Sequence, residues 1–397
     1  MLQKINQFFK KERVLVIAAV FAVFTMFLVK PSKAYIGYLD FRVLALLFSL
    51  MAVVAGLQKN GVFLRLSERL LLRVKSVRSM CYVLILLCFF SSMWITNDVA
   101  LITFVPFAVL MLKLTGREND MIYVIVMQTI AANLGSMLTP VGNPQNLYLY
   151  SFYHLKELDF FGITVPYVLF SFIILSLISL IIKKEPINQL DYSAFDQKTL
   201  QSELNVKAAG IDVNPLTEYQ TSKGNILHIV MLAMLFLLCL GTVMHLIDYR
   251  LTLGVVIFVI GILDRKIFGM VDYSLLLTFV CFFIFSGNLG NVKAINLFIS
   301  KAIESREVLA SILLSQIISN VPAAVLLSNF TKNAEHLIIG TNLGGLGTII
   351  ASLASLISYR IYLKTEKPLF VKYLVLFTLA NVGILILLVM FFMFLPL

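Results

Sequence analysis

Long apolar stretches alternate with short polar punctuation along the whole chain. Twelve uncharged runs, from Val14–Val29 to Tyr373–Leu397, lie between Lys, Arg, Asp and Glu residues. Crossing about 30 Å of hydrocarbon takes roughly 20 helical residues with few charges, and most of the runs reach or approach that length. The pattern predicts an all-α polytopic membrane protein. Polar interruptions lie at the centres of two stretches: Ser79–Leu112, two runs joined at Thr96-Asn97-Asp98, and Val308–Thr331 at Ser319-Asn320-Val321-Pro322. Both are predicted to be re-entrant hairpins with polar tips, about 79–112 and 308–331. Two further runs contain glycine-rich breaks, AANLGSMLTPVGNPQN and GTNLGGLGTIIAS, which share the triplets Asn133-Leu134-Gly135 and Asn342-Leu343-Gly344.

Composition agrees with this pattern. A chain of 397 residues would make two or three soluble domains, but 60% of it is hydrophobic and only 13% charged. Soluble domains average roughly 45–50% apolar and 25% charged residues, and the mean hydropathy here is +0.94. The net charge of +11 does not indicate a nucleic-acid partner, because the basic residues punctuate apolar runs and form no face. Cys81, Cys88, Cys239 and Cys281 sit inside apolar runs without CxxC spacing, so they read as core residues. No nucleophile-base constellation, zinc spacing or phosphate loop is present, and no enzyme is predicted.

Charge then sets orientation, since short cytoplasmic loops hold the excess of Lys and Arg. Lys4, Lys10, Lys11 and Arg13 place the N-terminus in the cytoplasm. No small-residue cleavage site stands out near Pro31–Ala34, so the first helix is expected to be retained. The second run returns to a basic segment with Arg65, Arg69, Arg73, Lys75 and Arg78, where Gly61–Val77 reads as an amphipathic helix at the interface. Basic residues flank both ends of the first hairpin, which is therefore entered from the cytoplasm, with arms of about 25 Å. Residues 184–224 form a polar cytoplasmic linker and 225–247 a connecting span. The second hairpin is then entered from outside, and the C-terminus of this multi-pass cell-membrane protein lies outside. Residues 1–183 and 251–397 begin on opposite sides and repeat the same order, including Leu39-Asp40-Phe41 and Val271-Asp272-Tyr273. This is the pattern of two inverted repeats, each with a hairpin and a broken helix.

Inverted repeats with discontinuous helices place a site at the midplane, where helix N-termini suit an anion and unwound carbonyls suit a cation. Asp98 is an acid deep in an apolar segment, where a charge costs at least ~2.5 kcal/mol. It reads as a Na⁺ or H⁺ coupling group in preference to an N-cap of the second arm, which Asn or Ser would supply at less cost. Asn97 and Asn320 could be interhelical glue, but their matching positions at two tips favour a site. Gly142, Gly344, Gly345 and Gly347 individually read as packing residues. His154, His336, His228 and His245 read as interfacial, and Asp40 and Asp272 as first-turn acids complementing helix dipoles.

The segments SMWITNDVALITFVP and LTPVGNPQNLYLY, with SNVPAAVLL and NLGGLGTIIASLASLISYR, resemble the ion transporter superfamily over roughly residues 40–395. That group includes divalent anion/sodium symporters for citrate and dicarboxylates, arsenite permeases and a group of sodium/proton antiporters. The resemblance implies an elevator-type secondary transporter, usually a homodimer, carrying a small anionic solute with Na⁺ or H⁺ as coupling ion and no other cofactor. It implies substrate binding by Thr96, Asn97, Asn143, Ser319, Asn320 and Thr348. It implies cation coupling by Asp98, Asn97, Gly142, Asn146, Asn320, Asn342 and Gly344, with Na⁺ at Asn97, Asp98 and Asn320. The carboxylate carriers have Ser-Asn-Thr at each tip, and both third positions differ here, as Asp98 and Val321. The acidic tip is closer to the arsenite permeases, while Gly142-Asn143-Pro144-Gln145-Asn146 resembles a break shared by the carboxylate and antiporter branches. A dianion beside Asp98 is repelled unless that acid is protonated or holds a cation. The implied substrate is a di- or tricarboxylate such as citrate or succinate; arsenite efflux or Na⁺/H⁺ antiport is the alternative.

Overall fold

The computed structural model describes residues 12–71, 74–187 and 226–395. Lys4, Lys10, Lys11, Arg73 and nearly all of the 184–224 linker lie outside the described residues, within which the chain is all-α and an isolated bridge joins Ser76 to Pro186. The helices of the first half are α1 (Arg13–Met26), α2 (Phe41–Lys59), α3 (Val62–Leu71), α4 (Val77–Ile95), α5 (Asn97–Leu114), α6 (Met121–Gly135), α7 (Pro144–Phe152) and α8 (Glu157–Ser179). After α9 (Ile226–Val243) come α10 (Tyr249–Leu263), α11 (Tyr273–Asn291), α12 (Lys293–Ile303), α13 (Glu307–Ile318), α14 (Asn320–Leu327), α15 (Ala334–Leu343), α16 (Leu353–Tyr362) and α17 (Phe370–Phe394). The order of α1–α8 recurs in α10–α17: a short apolar helix, a capped long helix, an amphipathic helix, a hairpin, a broken helix and a final long helix. Among the described residues, 8 helices are long and apolar enough to cross a membrane. The protein is a multi-pass membrane protein.

Local chemistry explains several boundaries. Asp40 accepts a hydrogen bond from the Val43 N–H at 2.9 Å and Asp272 one from the Leu275 N–H at 3.0 Å, so both acids are N-caps that start α2 and α11 at equivalent places. The amphipathic helix expected over Gly61–Val77 is described over Val62–Leu71 and does not run on to Val77, where a Ser76–Ser79 capping box begins a new helix. The hairpins are unequal. The arms α4 and α5 have 19 and 18 residues, α13 and α14 only 12 and 8. At 1.5 Å per residue the first pair runs about 28 and 27 Å, against about 18 and 12 Å for the second. The first hairpin is thus longer than the sequence suggests.

Two apolar cores form, and each draws on both halves. One gathers α4, α5, α6 and part of α8 with α16 and α17; the other gathers α2, α7, α9, α10, α11 and α14. The break between α6 and α7 carries the chain from one core into the other. Lipid tails are as apolar as Leu, so close packing and polar contacts, more than burial from water, hold such helices together. The four cysteines are free; Cys81, Cys88 and Cys239 are buried core residues, while Cys281 is half-buried. At one membrane face Lys59 pairs with Asp264 at 2.5 Å, tying α2 to the end of α10. Burial alone would raise the Asp264 carboxyl; the bonds from Lys59 and the Lys266 N–H outweigh it and hold the acid below its ordinary value.

Helix contact is closest at Gly135, where an added Cβ would lie 2.0 Å from the Phe89 carbonyl oxygen of α4. Gly135→Ala is expected to lower the unfolding midpoint in detergent, because backbone cannot move aside. Gly162→Ala, where nothing lies within 4 Å, is expected to match the parent or exceed it by about 0.5–1 kcal/mol. Equal midpoints for Gly135→Ala and the parent would refute this packing.

Candidate functional site

The two hairpin tips share one backbone conformation. Thr96 has φ 67° and ψ 149°, and Ser319 has φ 75° and ψ 156°. This region is almost exclusive to glycine and costs other residues of order 1–3 kcal/mol, so it persists only where surrounding structure imposes it. The imposing contacts are equivalent at both tips. The Asn97 N–H donates to the Gly142 carbonyl at 3.2 Å, and the Asn320 N–H to the Ala351 carbonyl at 2.9 Å. Each asparagine Oδ1 then accepts the next backbone N–H at 3.0 Å, from Asp98 and from Val321. Each tip is therefore fastened to the helix break of its own half.

The breaks are also built alike. After Gly135 the chain makes a single 3-10 turn, extends at Thr139 and restarts at Pro144, with Asn143 capping the Asn146 N–H at 2.9 Å. After Leu343 it passes Gly347 at φ 106° and restarts at Leu353. Asn133/Asn342, Thr139/Thr348, Gly142/Ala351, Asn143/Ser352 and Asn146/Ser355 all stand at one constant offset in residue number. The contacts across the halves obey the same correspondence. Asn342 accepts from Asn143 Nδ2 at 3.0 Å and donates to Asn146 Oδ1 at 2.6 Å. Asn133 accepts from Ser352 Oγ at 3.1 Å and donates to Ser355 Oγ at 3.4 Å. Asn133 also accepts from Asn97 Nδ2 at 3.0 Å and donates to the Gly345 carbonyl at 3.3 Å.

Tips and breaks from both halves thus meet in one buried polar cluster. Asn97, Asn143, Asn146, Ser319, Asn320 and Asn342 all belong to it and are buried. Gly142 supplies a tip-binding carbonyl, and Gly344 packs against Ser315, where an added Cβ would lie 2.5 Å from Oγ. Thr96 is half-buried at its tip. Thr348 is placed differently: its side chain is exposed, and its N–H donates to Gln316 Oε1 at 2.8 Å. Asn146 spends its amide on the break carbonyls of Ser136, Met137 and Thr139 at 3.2–3.4 Å, so in this conformation it shapes the loop.

Sequence reasoning missed Gln316, Ser352 and Ser355 as members of this cluster. Gln316 donates to the Gly344 and Leu346 carbonyls at 3.1 and 2.9 Å and holds the second break open. Its polarity one turn before the second tip was the available signal. The tips differ chemically in one respect. Half-buried Asp98 has its Oδ1 shut off from solvent with no hydrogen-bond partner, whereas its counterpart is Val321. A carboxylate oxygen without a partner can hold a proton or a small cation; the Val321 side cannot do so in the same way.

Removing the cross-half asparagine should therefore cost stability. Asn342→Ala leaves the Asn146 carbonyl oxygen unpaired and is expected to destabilise by about 1–3 kcal/mol, read as the unfolding midpoint in detergent. Thr348→Ala should leave that midpoint unchanged; the reverse ranking would contradict the arrangement.

Relatives carry the same stretch of chain. An uncharacterized transporter of Methanocaldococcus jannaschii is 31% identical over 335 residues, 84% of either chain. The inner membrane protein YbiR of Escherichia coli K12 is 29% identical over 341 residues, 83% of this chain and 82% of that one. A silicon efflux transporter of Oryza sativa subsp. japonica is 33% identical over 122 residues, 30% of this chain and 24% of its own. The sequence profile described as citrate transporter matches residues 8–336, which include both hairpin tips and the first break. A membrane-spanning scaffold, polar tips fastened to helix breaks and this match over most of the sequence lead to one conclusion: the chain belongs to the citrate transporter family and is a transporter, not an enzyme.

Proposed function

We propose that the protein is a secondary active transporter of a small di- or tricarboxylate such as citrate or succinate, coupled to Na⁺ or H⁺. The observation that carries this reading is the convergence of two strained tips and two helix breaks, fastened by equivalent bonds, into one buried polar cluster. In lipid such broken backbone is tolerated only where it is buried in protein or lines a cavity. Asn97, Asn320, Ser319 and Thr96, with the helix N-termini behind them, supply N–H and O–H donors for carboxylates. Asn143 takes part through the start of α7. Asp98, with Asn97 and the carbonyls at Gly142 and Gly344, supplies oxygens for a cation, and Asn146 and Asn342 hold that frame. Protonation or cation binding at Asp98 removes its repulsion of an incoming anion, which couples the two.

The two halves are read as inverted repeats, N-terminus in the cytoplasm and C-terminus outside, in a homodimeric cell-membrane protein. Amphipathic α3 and α12, which join the long capped helices to the hairpins, suit an elevator movement of the hairpin-bearing part. A second reading, export of a neutral or anionic solute against H⁺ or Na⁺, is favoured by the acidic tip and by the partial likeness to a silicon efflux transporter.

In proteoliposomes, Asn97→Ala and Asn320→Ala are each expected to abolish uptake of labelled citrate or succinate while inserting as the parent does. Asp98→Asn is expected to abolish its dependence on a Na⁺ or pH gradient. Parental uptake in both asparagine variants would refute the tip assignment, and Na⁺/H⁺ exchange without carboxylate uptake would move the reading to antiport.

A further inference from the structure

Helix α13 begins on Glu307, and the base of the second hairpin closes around that residue. Its Oε2 lies 3.3 Å from His336 Nδ1 of α15, and its Oε1 accepts from the Thr331 hydroxyl at 3.4 Å. Thr331 lies in the turn that leads from α14 to α15. There its Oγ1 also accepts from the Asn333 N–H at 3.0 Å, and Asn333 Oδ1 caps the His336 N–H at 3.0 Å. From the end of α7 the Tyr153 hydroxyl donates to the Thr331 carbonyl at 2.9 Å. The His336 ring meets Phe392 of α17 edge-on at 5.5 Å. One acid and one imidazole thus join the start of the hairpin's first arm to the start of the broken helix that follows its second arm.

An acid in the first turn of a helix complements its dipole, and that suffices to explain the residue type at 307. It does not explain the burial. Glu307 is 7% exposed, and no other acid or base among the described residues is buried as deeply. Glutamate is almost never buried so far unless it is paired, since an uncompensated charge in the interior is strongly destabilising. Among the described residues no lysine or arginine pairs with it. Its partner is His336, half-buried and so within reach of water, whose charge depends on a proton. The shared architecture does not demand such a pair. Counting back from the tips, the first hairpin has Leu84 in place of Glu307; counting back from Asn133 and Asn342, the first half has Met127 in place of His336. Both are buried apolar residues, so apolar side chains fill the same two positions there.

We infer that Glu307 and His336 form a proton-binding site at the base of the second hairpin, and that the bound proton holds the hairpin closed against α15. Neither the solute nor the role of Asp98 enters; placing the site on the outer face follows the topology proposed above. With the proton on the imidazole, a cation faces the buried carboxylate and the two groups are an ion pair. When the proton leaves for water, the carboxylate keeps its charge and is left with neutral donors, the Thr331 hydroxyl and the imidazole N–H. Water drawn into the base then solvates that charge and frees α13 from α15. The other titratable or charged groups around the site come from several elements. Glu304 and Arg306 precede α13, and Lys332 and Glu335 neighbour His336 in the chain. Tyr148, bonded to Ser328, and Tyr153, on which Glu307 acts, come from α7 and its end. Tyr167 of α8 feels Glu335; α14 brings no titratable group, and α17 brings the apolar ring of Phe392.

Hydrogen–deuterium exchange of the full-length protein in liposomes reads the base without any solute. With intrinsic exchange corrected for pH, segments 304–312 and 328–337 are expected to exchange severalfold faster at about pH 8 than at about pH 5, the range across which histidine ordinarily titrates. Glu307→Gln and His336→Gln each keep a hydrogen-bonding side chain, and in both that pH dependence is expected to vanish. Asp98→Asn should keep it, which separates this proton from the coupling ion at the first tip. Helix α6 serves as the control for an intact fold; should Glu307→Gln lose protection there as well, the parent and His336→Gln decide. A parental base that exchanges at one corrected rate across the range, or parental pH dependence in both glutamine variants, would overturn the site. Loss of the pH dependence in Asp98→Asn would assign the proton to Asp98 and overturn it too. Failed citrate uptake by a parent whose base still responds to pH would refute the solute and leave the site standing.

Discussion

A peptide group freed from its helix inside a bilayer has no water to bond. Every such group must find a partner in the protein, and each failure costs several kcal/mol. This chain frees backbone at four places, two tips and two breaks, and the rest of the architecture follows from satisfying them. The Gly142 and Ala351 carbonyls go to the tips. The carbonyls around Ser136–Thr139 go to Asn146, and those of Gly344 and Leu346 to Gln316. Those partners belong to the same half as the break they serve; across the halves, Asn133 reaches the Gly345 carbonyl and Asn342 pairs with the side chains of Asn143 and Asn146. Individual hydrogen bonds between membrane helices average only about 0.6 kcal/mol. Avoiding unpaired groups therefore matters more here than the sum of the bonds made.

The same constraint yields a site. Once the freed groups are paired through asparagine amides, which both donate and accept, the cluster is polar throughout and shut off from lipid. On the proposed reading, a solute or ion that offers equivalent bonds replaces an amide there without leaving backbone bare. The strained Thr96 and Ser319 show that the tips are imposed by their neighbours and not by local preference. Within this nearly symmetric frame, Asp98 against Val321 is a departure on one side only. On the proposed reading, this asymmetry gives the charge a place at the first tip.

Much of this was legible in the sequence because lipid makes polar residues conspicuous. Thr96-Asn97-Asp98, Ser319-Asn320 and the two Asn-Leu-Gly triplets stand out in apolar runs, and the structure puts them together. What was not legible depends on contact at long range. Nothing in the types of Thr96 or Ser319 marks a positive φ. Ser352 and Ser355 look like ordinary small residues of a packed helix until Asn133 of the other half is seen against them. Asn146 reads as a ligand by its motif, yet it is occupied with its own loop. Arm lengths were misjudged because capping at Ser76 extends α4 beyond the apolar run, while hairpin two is shortened by the turns at its base.

The measurement that bears most directly on the central claim is thermal stability of the purified protein against citrate, succinate, malate, sulfate and arsenite, with Na⁺ replaced by choline in parallel and the tip variants alongside. A ligand bound only by the folded state raises its stability by mass action. The predicted result is stabilisation of the parent by one carboxylate, enhanced by Na⁺ or by lower pH, and lost in Asn97→Ala and Asn320→Ala. The same stabilisation in those variants, or no anion effect under any of these conditions, would contradict a solute site at the two tips.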